Sequence, residues 1–394
     1  MVQEIRRAFN AAFTEDRYQA VVRDLEAAVG FPAGFRICET PLFLDDRLNR
    51  ELVEAAYEIA GLATSEDYLR HAGRAVPPGG GVPGDEGHTV FLQVDFALVR
   101  GEDGAITPRL IELQGFPSLY GFQWLLDQVY REHYDIPAGF TPYFGGLDEA
   151  GYVDQLRRVI VGDRDPETVV LLEIRPEEQK TRIDFACTER LLGVRSVDPA
   201  EVEEREGRLY YRNDGREVPI RRIYNRVIFD ELERKGLHYD HIFRREVDVT
   251  WVGHPHWFWK ISKFALPFLR SRWAPPAWFV SDLREFPDDL ENYVLKPLFS
   301  FAGLGVEIGV TAERLRALDD PSHYILQRRV QYEPLVETPD VPAKAEVRMM
   351  FLWGEDDPRP VLVNNLVRMS KGLMAGVDFN KDKVWIGASS AYHR

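Results

Sequence analysis

The sequence predicts a mixed α/β fold of the α+β kind, built in several lobes, and three observations predict it. Phe, Ala, Leu, Val and Tyr recur at helical spacing over Glu4–Val29 and Asp45–Arg70, which gives two or three opening helices. The run Val169–Ile174 (VVLLEI) is apolar nearly throughout, as a strand buried on both faces must be. A helix over Thr181–Leu192 and a strand near Arg195–Val197 follow it, the order of a parallel α/β unit. From Tyr293 the pattern turns strand-rich, over Tyr293–Lys296, Val306–Gly309, Tyr324–Val330, Ala345–Leu352 and Pro360–Met369.

Between these landmarks the turn residues punctuate the chain. Pro77-Pro78-Gly79-Gly80-Gly81-Val82-Pro83-Gly84 reads as a loop with the composition of a mobile one. Strand-like runs at Thr89–Val99 and Pro108–Leu113 flank Glu102-Asp103-Gly104, a hairpin signal. Arg208–Tyr211 and Val218–Tyr224 flank Asn213-Asp214-Gly215 in the same way. Thr311 is placed to cap a helix over Thr311–Leu318, and the acidic run Glu201–Glu206 reads as a solvated helix face. Domain breaks fall near residues 165 and 250, giving regions 1–165, 166–250 and 251–394.

Composition excludes several functions. The net charge of −15 over 394 residues disfavours a nucleic-acid partner, and any anion must be met by local cations. The two cysteines, Cys38 and Cys187, form neither a zinc motif nor a disulfide framework. Met1–Phe9 lacks the apolar stretch of a signal peptide. The aromatic stretch Trp251–Val280 is broken by Lys260, Lys263, Arg270, Arg272 and Pro275-Pro276, so it cannot span a membrane. The expected compartment is the cytoplasm. Trp251, Trp257, Trp259, Trp273 and Trp278 read as core and interface, with room for a homodimer contact. His254 and His256 are spaced for neither a metal site nor a proton shuttle.

Three constellations carry chemistry. In Tyr293-Val-Leu-Lys296-Pro297-Leu-Phe-Ser300-Phe-Ala-Gly303-Leu-Gly305 a strand ends in a lysine and enters a loop whose glycines let the backbone approach an anion. An ordinary hairpin with a surface lysine would read alike. Glu112 and Gln114, two apart on a strand, share a face, and the hairpin brings Asp95 beside them. Such hard oxygen ligands suit Mg²⁺, although the solvent face of a strand would look the same. Lys263, in Ser262-Lys263-Phe264-Ala265-Leu266-Pro267, opens an apolar helical turn where a cation could meet phosphate, or merely reach solvent.

Taken in order, these residues resemble the ATP-grasp superfamily, and within it the branch of eukaryotic-type glutathione synthetases and bacterial glutathionylspermidine synthetases. Asp95 matches the Asp of that branch's "R-x-D-[FY]" strand, while Glu112 and Gln114 match its "E-x-N"; Ser118 and Gly121 fall in the polar stretch that follows. Lys263 is similar to the first ATP lysine, and Lys296-Pro297 to the "V-x-K-P" that supplies the second. Gln327, Arg328 and Val330 lie on a strand like the one whose backbone reads the adenine edge. Tyr224-Asn225-Arg226 resembles the "Y-x-R" that holds a substrate carboxylate, and Arg348 and Arg368 sit where relatives place cations. The likeness spans residues 89–370. It departs at Gln93, in place of an Arg, at Gln114, in place of an Asn, and at Phe299 and Phe301, in place of small residues.

The resemblance implies an ATP-grasp fold. Residues 1–165 would hold a helical region and the metal-binding hairpin, 166–250 a small α/β substrate lobe, and 251–394 the antiparallel ATP-binding lobes. It implies ATP and Mg²⁺ as cofactors and small-molecule carboxylate and amine substrates joined through an acylphosphate. Lys263, Lys296, Ser300, Gly303 and Gly305 would hold the phosphates, and Asp95, Glu112 and Gln114 the metal. Arg226, Arg348 and Arg368 would serve catalysis. Two rivals share these residues: a small-molecule kinase of the same superfamily, and a nucleotide-binding protein with degraded catalysis.

Overall fold

In Lys344–Leu352, Lys344, Glu346 and Arg348 alternate with Ala345, Val347, Met349 and Phe351, so one face of the strand is charged and the other enters the core. The strand pairs antiparallel with Phe91–Arg100 on one side and Val361–Ser370 on the other. Ile106–Gln114 and Gly387–Ser389 complete this five-stranded sheet as its edges. The computed structural model describes residues 1–300, 303–372, 380 and 382–394. On the apolar face packs the helix Asp46–Ala63, which buries Leu48, Leu52, Ala55, Ala56 and Ile59 on one stripe.

Two further sheets frame the charged face. The strands Thr250–Val252, Arg222–Asn225, Val169–Leu172 and Arg195–Val197 lie side by side in that order, all parallel. The helix Arg182–Leu192 crosses between the last two in space, as the sequence order requires. The other sheet is antiparallel, in the order Ala277–Phe279, Tyr324–Arg328, Tyr293–Pro297, Glu307–Ile308. The helix Ala312–Arg316 follows it, and Thr311 caps that helix by accepting from Arg314 N. Trp251, Trp257, Trp259 and Trp273 are buried, and Trp278 is half-buried. Among the described residues no helix is long and apolar enough to cross a membrane.

Several expectations need correction. The opening helices are Gln3–Ala12, Glu15–Val29, Asp46–Ala63 and Glu66–Ala72, because Thr14 and Ser65 restart the chain as side-chain caps. The acidic run is not a helix face. Glu203–Arg205 is a strand paired with Arg208–Tyr210, and its carboxylates meet arginines such as Arg245 and Arg205. Val218–Tyr224 divides: Arg216–Ile220 stays in the hairpin, while Arg222–Asn225 joins the parallel sheet. The Pro/Gly-rich loop is fastened down by Arg244 and His256.

The edge strand Ile106–Gln114 has no partner strand beyond it, yet its free backbone is not wasted. Leu110 N donates to Trp273 O at 2.8 Å, and Gly115 N donates to Ile261 O at 2.7 Å. The segment carrying Lys263 is thereby stitched along the sheet edge. A Cβ at Gly115 would lie 2.7 Å from Trp257 O and 3.0 Å from Ile261 Cβ. Gly115→Ala should therefore cost about 1–3 kcal/mol of stability, read as a lower urea midpoint at unchanged slope.

Candidate active site

The register of the hairpin shapes the site. Asp95 faces Glu112 and Gln93 faces Gln114, but Phe96 faces Leu110, so Ile111 is an extra residue, a β-bulge. Its carbonyl turns out of the ladder and accepts from Lys296 Nζ at 3.0 Å. Lys263 opens the short 3₁₀ turn Lys263–Phe268, where Ser262 Oγ accepts from Phe264 N. Its Nζ lies 3.8 Å from Glu112 Oε2 and donates to Ser300 O at 2.6 Å. Two lysines from separate elements thus meet the hairpin at Glu112. Burial pushes the Lys296 ammonium down to about 8, with Lys263 adding to that effect and Glu112, Glu346 and Asp95 opposing it.

The arginines stand on the neighbouring strands. Arg348 faces Asp95 across the ladder and binds both its oxygens, at 2.6 and 2.7 Å. Arg368 donates to Asp95 Oδ2 at 2.5 Å and also to Glu346. Glu346 takes a second hydrogen bond, from Tyr332 Oη at 2.5 Å. Burial alone would raise the Asp95 pKa, but Arg348 and Arg368 outweigh it and hold the carboxyl below its ordinary value.

The expected metal set, Asp95, Glu112 and Gln114, falls into different surroundings. Asp95 is fully buried, and both its oxygens accept from guanidinium groups, so in this structure it is the counter-ion of Arg348 and Arg368. The Gln114 amide is spent on Gln93 at 2.8 Å; turned over, its oxygen meets Arg348 Nη1 and Nη2 at 2.9 and 2.8 Å. Glu112 keeps no hydrogen bond to any described residue, and its side chain is a quarter exposed. Among the described residues, the group of three acidic or histidine side chains close enough to share an ion is Asp24, Glu132 and His133, on the surface.

Glu112, Gln114, Ser262, Lys263, Leu298, Phe299 and Ser300 line a cavity of about 40 Å³, room for a water-sized group. Ser300 Oγ is buried there and has no hydrogen-bond partner among the described residues. Gly303 and Gly305, at φ of +76° and +72°, supply the left-handed turns of the loop, and Leu304 stands out from its tip, 60% exposed. Phe301 and Ala302 lie outside the described residues. The strand near Gln327 contributes differently from the expectation. Arg328 is drawn off to Asp289 at 2.7 Å, and its N–H goes to Pro276 O. Gln327 Nε2 is buried without a partner, and Val330 lies half-buried just past the strand end.

Arg226 stands apart from this cluster. It follows Asn225 at the carboxyl end of the parallel sheet, with its guanidinium 4.8 Å above the ring of Phe116 and 5.4 Å from Phe185. Glu173 lies 3.8 Å from Nε and Thr181 Oγ1 3.4 Å from Nη2, while Nε and Nη1 have no hydrogen-bond partner. Burial lifts the Glu173 carboxyl to about 8 despite Arg226. Glu346 and Tyr332 were not singled out from sequence. The signal for Glu346 was its place two residues before Arg348, on the same strand face.

With the geometry in view, the chain was compared with known proteins. No family model and no curated protein matches it. The apo structure of a glutathione synthetase-like effector, GSS30, from Globodera pallida is similar in fold, with a TM-score of 0.57 at 9% identity, over 98% of this chain and 99% of that one. The likeness is one of overall fold, and the fold is mixed α/β.

Removing the charge of Asp95 leaves Arg348 without its counter-ion and Arg368 with Glu346 as its remaining hydrogen-bonded carboxylate, so Asp95→Asn should lose about 3–5 kcal/mol at neutral pH. A carboxyl held below its ordinary pKa contributes stability above the unfolded value of 3.8 and loses it as pH falls through the folded value. The difference between wild type and variant in chemical unfolding should therefore shrink below about pH 4.

Proposed function

We propose that this chain is an ATP- and Mg²⁺-dependent carboxylate–amine ligase with an ATP-grasp core. The observation that carries the reading is that Lys263 lies beside Glu112 and donates to Ser300 O, while Lys296 donates to the carbonyl of the neighbouring Ile111. Two ammonium groups beside a glycine-containing loop suit a polyphosphate, and the fold shared with a protein named glutathione synthetase-like points to the same chemistry. Glu112 is the carboxylate with a free face, so it would hold Mg²⁺ together with phosphate oxygens and water. The ion would neutralise charge on the transferring phosphoryl group. The regions 1–165, 166–250 and 251–394 would supply the hairpin, the acid site and the nucleotide site.

In this reading a substrate carboxylate, held at Arg226, attacks the γ-phosphorus of ATP; ADP leaves, and an acylphosphate forms. The amine then adds to the acyl carbon and inorganic phosphate departs, leaving an amide. Lys263 and Lys296 hold the phosphates, and Arg348 and Arg368 offset the charge that develops. Water would have to be kept from the acylphosphate, which it would otherwise hydrolyse.

A second reading, a nucleotide-binding protein without ligation, is favoured by the commitment of Asp95 and Gln114 to arginine and amide partners. Product analysis separates the two: ADP and phosphate released with an amide support ligation, and ATP binding without turnover supports the second.

Lys296→Ala should abolish ADP formation while the thermal unfolding profile stays cooperative; wild-type turnover in that variant would remove Lys296 from the site. Because the ammonium titrates at about 8 in the free protein, ATP affinity should weaken as pH rises above that value. Titration calorimetry at pH 7 and pH 9.5 reads the difference, of about tenfold.

A further inference from the structure

The Pro/Gly-rich loop ends at a carboxylate outside the site. Glu86 Oε1 bonds His256 Nδ1 at 2.7 Å, its other oxygen pairs with Lys260, and its carbonyl accepts from Trp257 Nε1 at 2.8 Å. One residue thus grips three positions of the single helical turn His256–Lys260. His256 Nε2 accepts from Val82 N at 2.9 Å, so the ring is neutral and its proton sits on Nδ1, toward Glu86. Burial would raise the Glu86 pKa, but Lys260 and His256 outweigh it and hold the carboxylate ionised.

We infer that Glu86 is a positioning residue for Lys263, acting through this turn; the inference rests on the nucleotide-site reading above. The path from one to the other is hydrogen-bonded at each step. Ile261 N donates to Trp257 O at 3.0 Å, and Gly115 N donates to Ile261 O at 2.7 Å, which ties the turn to the residue after Gln114. Ser262 Oγ donates to Trp259 O at 2.8 Å and accepts from Phe264 N at 3.2 Å, fixing the backbone on both sides of Lys263. No hydrogen bond or ion pair joins Glu86 to Lys263 or Glu112 directly, so its effect on phosphate binding passes through the placement of the Lys263 ammonium.

A double-mutant cycle tests this with the full chain and Mg·ATP as the titrant in calorimetry. Glu86→Gln should weaken Mg·ATP binding about tenfold in the wild-type background and less than about twofold in the Lys263→Ala background. An unchanged dissociation constant for Glu86→Gln, or the same loss in both backgrounds, overturns the inference. If Glu86→Gln fails to unfold cooperatively, Lys260→Gln loosens the same grip and takes its place in the cycle, with the same expectations. Absence of Mg·ATP binding by the wild type overturns the nucleotide reading itself, and the inference with it.

Discussion

Buried like charge is the constraint around which this molecule is arranged. Lys263, Lys296, Arg348 and Arg368 gather over one sheet face, and the first three are more than nine-tenths buried. A cation taken out of water must find an oxygen or lose its proton. The sheet answers with Asp95, Glu112 and Glu346 from three different strands, a carbonyl from the Ile111 bulge and another from Ser300. Four cations thus face three carboxylates, and burial brings Lys296 well below an ordinary lysine. An incoming polyanion would relieve that imbalance. The acidic remainder of the chain, at a net −15, would repel the same anion from everywhere else.

The second feature is a division of labour between two sheets. The antiparallel sheet and the lysine segments bring Lys263 and Lys296 to the hairpin, while Arg226 sits at the carboxyl end of the parallel sheet, across the ring of Phe116. Its nearest carboxyl, Glu173, is pushed up to about 8 by burial and so is largely protonated near neutral pH. Among the described residues the Arg226 Nε and Nη1 have no hydrogen-bond partner. Topological ends of parallel strands are where open α/β sheets take ligands.

Much of this was legible in the sequence. The apolar run Val169–Ile174, the hairpin around Glu102–Gly104 and the strand-rich end all appear as expected, because hydrophobic period and turn chemistry are local signals. The convergence of Lys263, Lys296 and Glu112 was legible too, through the order of short motifs. Period two assigns a residue to a face but does not set register, and register decides partners. Asp95 reads as a metal ligand until the ladder places Arg348 opposite it, about 250 residues away in sequence. The Ile111 bulge leaves no mark in composition, yet it aims the carbonyl that receives Lys296. Glu201–Glu206 misled because its charge is paired across strands, a pattern that solvated helices mimic. The loop at Pro77–Gly84 looked free because its anchors, Arg244 and His256, come from far along the chain.

The central claim is that the cation cluster exists to hold a triphosphate against Glu112. The most direct measurement is a crystal structure of the chain with a non-hydrolysable ATP analogue and Mg²⁺. The account predicts phosphate oxygens within hydrogen-bond distance of Lys263 Nζ and Lys296 Nζ, an ion on Glu112, and Ser300 O released from Lys263. An analogue bound elsewhere, with Lys263 still on Ser300 and Lys296 still on Ile111, would contradict it.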